Sequence, residues 1–210
     1  MAIIFNSDKY GKAIVDTNTI IGVIGENYLD FLDLLEGKDI FYLKNEYDYP
    51  NIDTENKMFS EYLKLLNIDI NKKNLSHSES KLLNYYKMIQ SNSKIMIIDE
   101  PYLDLDSNEK KIINSIIKKL VKEKKTVIIG SKDINNIYTI CKKILVVNDN
   151  GLLYDDINCL NDYSFLKNNN LEVPEIVDFI ELAKAKNIKI PYSKDIRDLI
   201  KDVYRNVSKK

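Results

Sequence analysis

Residues 94–106 read Lys-Ile-Met-Ile-Ile-Asp-Glu-Pro-Tyr-Leu-Asp-Leu-Asp. Ile95, Met96, Ile97 and Ile98 form an unbroken apolar run, and Pro101 supplies a turn shortly after it. A run with no polar alternation predicts a strand buried on both faces, as in the interior of a parallel sheet. Asp99 and Glu100 stand side by side where that run ends. Carboxylates avoid such an interior, and open α/β sheets place their ligands at the carboxyl ends of the strands. The segment therefore predicts an α/β fold with a polar site at one edge of its sheet. The alternative is a buried strand with two solvated acids at its tip.

The rest of the chain repeats the alternation. Ile20 to Gly25 predicts a short strand ending in a glycine turn. Residues 28–36 predict a helix with Leu29, Leu32 and Leu35 at helical spacing and Gly37 as its stop. Further strands are expected at Ile40–Leu43, Thr126–Ile129, Ile144–Val147 and, after the Asn148–Gly151 turn, at Leu152–Tyr154. Pro50 and its Asn and Asp neighbours mark a loop, and helices are expected at 55–66, 78–91, 107–124 and 133–143. This order implies a mostly parallel sheet with right-handed crossovers and flanking helices.

The tail differs in character. Asn168–Asn170 reads as a linker, and Pro174 fits the first turn of a helix whose face is Ile176, Val177, Ile180 and Ala183. Ser193 can cap a last helix carrying Ile196, Leu199, Ile200, Val203 and Tyr204. The pair is either a docking module or a cover for one side of the sheet.

Charge and composition narrow the function classes. Among 210 residues, 31 basic side chains face 32 acidic ones, for a formal net charge of -1, which argues against a general binder of nucleic acid or anionic membrane. No apolar run approaches the roughly 20 residues that span a bilayer, and no signal peptide opens the chain. A cytoplasmic location is expected, with docking on a membrane protein still open. Cys141 and Cys159 lack metal-ligand spacing, so reduced buried thiols are expected. His77 is the single histidine, and nothing around it points to Ser-His or Cys-His catalysis.

The order of these segments resembles the nucleotide-binding subunits of the ATP-binding-cassette (ABC) family. Lys94–Asp106 looks like that family's magnesium-binding strand and following loop, which includes Asp104 and Asp106. Leu75-Ser76-His77-Ser78-Glu79 stands upstream where the family carries Leu-Ser-Gly-Gly-Gln/Glu. Thr126–Asp133 is similar to the switch strand, and the tail to the carboxyl-terminal helices of energy-coupling-factor transporter ATPases. The resemblance implies a P-loop-type, mostly parallel sheet flanked by helices over residues 1–167, with reduced β and helical subdomains, the latter at 45–80. A small helical docking or dimerisation module would occupy 168–210. It further implies Mg-ATP as cofactor, Asp99 as metal ligand with Asn45, or alternatively Lys44, at the family's magnesium-contacting glutamine, and Glu100 as general base. Lys132 falls at the switch position, and Gly22, Gly25, Glu26, Asn27, Ser76, His77, Ser78, Glu79, Asp104 and Asp106 fall at nucleotide-contacting positions.

The departures bear on activity. The family's phosphate loop reads Gly-x-x-Gly-x-Gly-Lys-Ser/Thr, whereas Gly22-Val23-Ile24-Gly25-Glu26-Asn27 runs straight into Tyr28-Leu29-Asp30-Phe31. Lost with that core are backbone donors, a lysine and a magnesium-ligating hydroxyl. A charge-assisted hydrogen bond contributes about 1.5–3 kcal/mol, so losing several removes most affinity for a triphosphate. The switch histidine is replaced by Lys132, and His77 and Ser78 replace two glycines that let a phosphate approach the backbone. Segment 75–80 reads equally well as a helix cap. The leading expectation is a degenerate subunit that pairs with an intact ATPase and a membrane permease. An active Mg-ATPase with a rebuilt loop and a nucleotide-free scaffold or regulator are the alternatives, and a homo-oligomer is open.

Overall fold

The computed structural model describes residues 2–35, 37–44, 57–66, 68–69, 75–188, 190–191 and 196–207. It begins with an antiparallel hairpin, β1 (Ala2–Ser7) and β2 (Gly11–Asp16). The main sheet is built from β3 (Ile20–Ile24), β4 (Ile40–Leu43), β5 (Ile95–Asp99), β6 (Thr126–Gly130), β7 (Lys143–Asn148) and β8 (Gly151–Asp156). Its spatial order is β4-β5-β6-β3-β7-β8, parallel throughout except for β8, which turns back antiparallel along β7. The continuous apolar runs of β3 and β6 are buried along their whole length, as interior parallel strands must be.

Helices cover both faces. On one side lie α1 (Tyr28–Asp33) and the hairpin, where Phe5, Val15, Tyr28, Phe31 and Leu32 pack with Ile21, Val23, Ile97 and Ile128. On the other lie α3 (His77–Gln90), α4 (Ser107–Lys122) and α5 (Ile134–Ile140), packing with Ile24, Met96, Ile98 and Ile129. Neighbouring strand residues thus serve opposite cores, the period-two geometry of a strand. Between β4 and α3 stands α2 (Lys57–Leu66). After β8 come a 3-10 turn at Ile157–Asn161 and α6 (Tyr163–Asn168), then α7 (Glu175–Ala185) and α8 (Ile196–Val207). Val177 joins the α3–α5 core, while Ile180, Ala183, Ile190 and Leu199 form a small cluster of their own.

Every strand expected from the sequence is present, and several helical boundaries move, α4 for instance ending at Lys122 and not at 124. The helix expected at 28–36 ends at Asp33, because Leu34 and Leu35 close it with tight bonds to Phe31 O and Leu32 O. Starting at Tyr28 turns Tyr28, Phe31 and Leu32 inward and leaves Leu29 exposed. The helix expected at 133–143 ends at Ile140, where Cys141 turns extended to begin the approach to β7. Pro174 caps α7 rather than opening its first turn. Asn45, Pro50 and Ser193 lie outside the described residues.

Candidate functional site

Asp99 is the last residue of β5 and pairs in register with Gly130 of β6, so it sits at the carboxyl edge of the sheet. Glu100 follows in a left-handed conformation, φ 44°, with its N–H donating to Gly130 O at 2.9 Å. That bend aims the Glu100 carboxylate at the end of β6, where it accepts from Ser131 Oγ at 2.9 Å and from Lys132 N–H at 2.7 Å. Tyr28, the first residue of α1, supplies a third donor. Its hydroxyl lies 3.0 Å from Glu100 Oε1 and 3.4 Å from Asp99 Oδ1. Burial, with the Glu100 and Asp99 charges beside it, pushes the phenol well above its ordinary range, so the hydroxyl keeps its proton.

From the α3 face comes Lys81, a lysine with 5% of its surface exposed. Its ammonium donates to the carbonyl of Glu100, and to that of Leu103 at 3.3 Å. Burial lowers its pKa to about 8, against the pull of the Asp104, Asp99 and Glu100 carboxylates. Tyr85, one turn along α3, donates its hydroxyl to Pro101 O at 3.1 Å. The loop after β5 is therefore held by side chains of α3, and from the other side Asn114 of α4 accepts from the Tyr102 hydroxyl.

The glycine-bearing segment is a tight turn. Only Gly25, Glu26 and Asn27 separate β3 from α1. Gly25 takes φ 119°, and a Cβ there would come within 2.1 Å of Val147 O, so close backbone approach requires the glycine. Glu26 accepts from Asn170 Nδ2 at 2.7 Å, and Asn27 donates to Asp149 Oδ1 at 3.0 Å. Gly22 lies within β3, where a Cβ would meet Ile137 at 2.5 Å. It makes room for α5 against the sheet.

The remaining expected site residues fall elsewhere. Ser76 caps α3 in a reciprocal box: its Oγ accepts from Glu79 N–H at 3.2 Å and its N–H donates to Glu79 Oε2 at 2.8 Å. Ser78 Oγ is 3.1 Å from Ser76 Oγ, and His77 is exposed. Asp106 caps α4 in the same way, accepting from Asn108 and Glu109 N–H groups. Asp104 takes φ 62° and acts on the charge of Lys81. The Lys132 side chain is exposed; what reaches Glu100 is its main-chain N–H.

The structure thus gathers Asp99, Glu100 and the Lys132 backbone with three residues that sequence reasoning passed over: Tyr28, Lys81 and Ser131. Two of these left a trace. Tyr28 stands directly after the truncated glycine turn, and Lys81 shares the helical row of buried Tyr85 and Met88. Ser131 left none. A triphosphate with its metal needs several inward donors, a lysine and a ligating hydroxyl at the loop before α1. This donor set does not match that need: the loop is three residues long, and the two hydroxyls at the acids, Ser131 and Tyr28, are engaged with the carboxylates themselves.

No protein-family model matches the chain. Among curated proteins it is 27% identical over 133 residues to the energy-coupling factor transporter ATP-binding protein EcfA2 of Mycoplasmopsis synoviae, covering 62% of this chain and 41% of that one. An ABC transporter ATP-binding protein of Pyrococcus furiosus is 33% identical over 61% of this chain and 46% of its own. Among solved structures, cbiO1 of Clostridium perfringens, part of the ABC transporter complex cbiONQ, superposes with a TM-score of 0.57. That alignment covers 85% of this chain and 96% of the other at 16% identity. This is an ABC-type ATPase fold. The sequence resembles ABC transporter ATP-binding proteins, and each match spans less than half of the two curated relatives' length. Within this fold the acid pair stands at the carboxyl edge of the sheet, and the loop before α1 is three residues long. Among the described residues, no helix is long and apolar enough to cross a membrane.

Proposed function

We propose that the chain is a degenerate ATP-binding subunit of an ABC transporter of the energy-coupling-factor type. It pairs with an intact ATPase beside a membrane permease and hydrolyses little or no ATP by itself. The observation that carries this reading is the turn Gly25-Glu26-Asn27, whose three residues replace a phosphate cradle. Glu26 and Asn27 spend their side chains on Asn170 and Asp149, away from the acid pair. Glu100 already accepts three hydrogen bonds, so acting as general base would require it to release one first. Ser76 and the amino end of α3 are solvent-facing, and the helix dipole there favours an anion, so a partner's nucleotide would compete with the Glu79 carboxylate of the capping box. A nucleotide-free scaffold with the same fold is the second reading, favoured by the Tyr28 contact with both acids.

Calorimetric titration of the purified chain with Mg-ATP, alone and then mixed with an ABC ATPase encoded beside it, tests the proposal. The expected result is no heat of binding at micromolar nucleotide alone, and a stable complex with altered ATPase rate in the mixture. Micromolar binding by the isolated chain, with turnover lost in Glu100→Gln, would establish an active ATPase instead. A complex without any change in rate would favour the scaffold.

A further inference from the structure

We propose that Tyr28 and Lys81 supply, as permanent parts of the chain, the hydrogen-bond donor and the positive charge that a water and a metal ion would otherwise bring to an acid pair of this kind. The site has become a closed polar core indifferent to both. This deepens the reading above and rests on it.

Two adjacent carboxylates at the edge of a buried sheet need donors and a compensating cation, or their desolvation destabilises the fold. Asp99 is 9% exposed, follows the fully buried Ile98 and pairs with buried Gly130, so water alone does not meet that need. The chain supplies both from opposite faces of the sheet. From the α1 face the Tyr28 hydroxyl reaches Glu100 and Asp99 at 3.0 and 3.4 Å. From the α3 face the Lys81 ammonium is anchored on the carbonyls of Glu100 and Leu103. The shortened turn explains the first arrival: with three residues after β3, the opening residue of α1 lands at the sheet edge rather than beyond it. Gly130 admits it, since a Cβ there would stand 2.9 Å from the Tyr28 ring. The loss of the cradle and the gain of the plug are one structural change.

Lys81 could be read as merely pinning the loop after β5. Its two carbonyl partners fit that role, but carbonyls would be served equally by a neutral donor. A buried ammonium is expensive, and three carboxylates, those of Asp104, Asp99 and Glu100, act on it. Charge balance therefore distinguishes the two roles.

The test uses thermal unfolding of the full chain with and without millimolar MgCl2. Wild type is expected to unfold at the same temperature in both. Lys81→Met should unfold several degrees lower, and either MgCl2 or a second substitution, Asp99→Asn, should restore much of the loss. Tyr28→Phe should lose a smaller part and leave the ring in place. If Lys81→Met does not fold, recovery of soluble protein by adding Asp99→Asn serves as the readout. The inference is overturned if Asp99→Asn fails to rescue Lys81→Met in either form, or if MgCl2 moves wild type as far as the variants. Neither outcome touches the subunit reading, which fails only on tight Mg-ATP binding by the isolated wild-type chain.

Discussion

A methyl group at position 130 would lie 2.4 Å from Leu32 Cδ1 and 2.9 Å from the Tyr28 ring. Neither neighbour has room to withdraw, because Tyr28, Phe31 and Leu32 are packed under the β1–β2 hairpin. Gly130→Ala is therefore expected to destabilise by about 1–3 kcal/mol through overpacking. It should also push the Tyr28 hydroxyl off the acid pair. Urea denaturation would measure the first effect, and an unchanged midpoint would show that the plug has slack. Residues at this scale were the hardest to read in the sequence. Asp99 and Glu100 were legible because charge at the end of an apolar strand breaks a strong pattern. Tyr28 was not, since its role depends on how many residues precede it in the turn. Ser131 depends on a bend at Glu100 that only a left-handed backbone provides. Lys81 was hidden by being ordinary: in a lysine-rich chain, one more on a helix reads as solvated.

At the scale of elements, the two helices closed by reciprocal capping boxes offer a graded comparison. Asp106 accepts two N–H groups, at 2.7 and 2.8 Å, whereas Ser76 Oγ accepts one at 3.2 Å. Asp106→Ala should accordingly cost about 1–2 kcal/mol and Ser76→Ala about 0.5–1 kcal/mol. Equal losses in chemical denaturation would mean that the Ser76 box carries more than its length implies. Helix α7 offers a second contrast: Ile180 is fully buried whereas Leu182 is 58% exposed. Ile180→Ala should lose about 2–5 kcal/mol if α7 and α8 unfold with the sheet, and Leu182→Ala under about 0.5 kcal/mol. A separate early unfolding phase in Ile180→Ala would make the tail its own cooperative unit. The main-sheet strands are legible because apolar runs end in turn residues, whereas the β1–β2 hairpin, mostly exposed along its length, is missing from the expected strands. Helix α6 and the 3-10 turn before it are not legible either, because at six and five residues they are too short to show a 3.6-residue period. Apolar spacing alone overextends α1, since Leu34 and Leu35 continue it after the helix's hydrogen bonding has closed.

The whole molecule carries an unusual alkaline liability. Burial raises the phenols of Tyr28, Tyr62, Tyr85 and Tyr102 above their ordinary value, raises Tyr154 to about 12 and pushes the Cys159 thiol up to about 12. For each, the folded state holds a proton that the unfolded chain releases near its ordinary pKa. Their stabilising contribution is present below that value and is lost as pH climbs towards the folded one. Lys81 runs the other way: its folded pKa of about 8 lies below the unfolded value. The unfolded chain then holds more protons between about pH 8 and 10.5, and stability rises with pH there. Between pH 9 and 10.5 the single lysine is opposed by Cys159, and above pH 10 by the tyrosines together. A fully buried phenol removes up to about 1.4 kcal/mol per pH unit, with less from the partly exposed Tyr154 and Cys159, where solvent screens the charge. Urea midpoints should therefore rise slightly from pH 8 to 9, level off towards pH 10 and fall steeply beyond it. Tyr85→Phe supplies the control. It removes the Pro101 hydrogen bond and so lowers stability at neutral pH, yet it deletes one titrating group. Its midpoint should fall less steeply than wild type above pH 10, by the equivalent of about one proton. If the two alkaline limbs are parallel, Tyr85 ionises in the folded protein, and the sealed interior beside Pro101 is open to water.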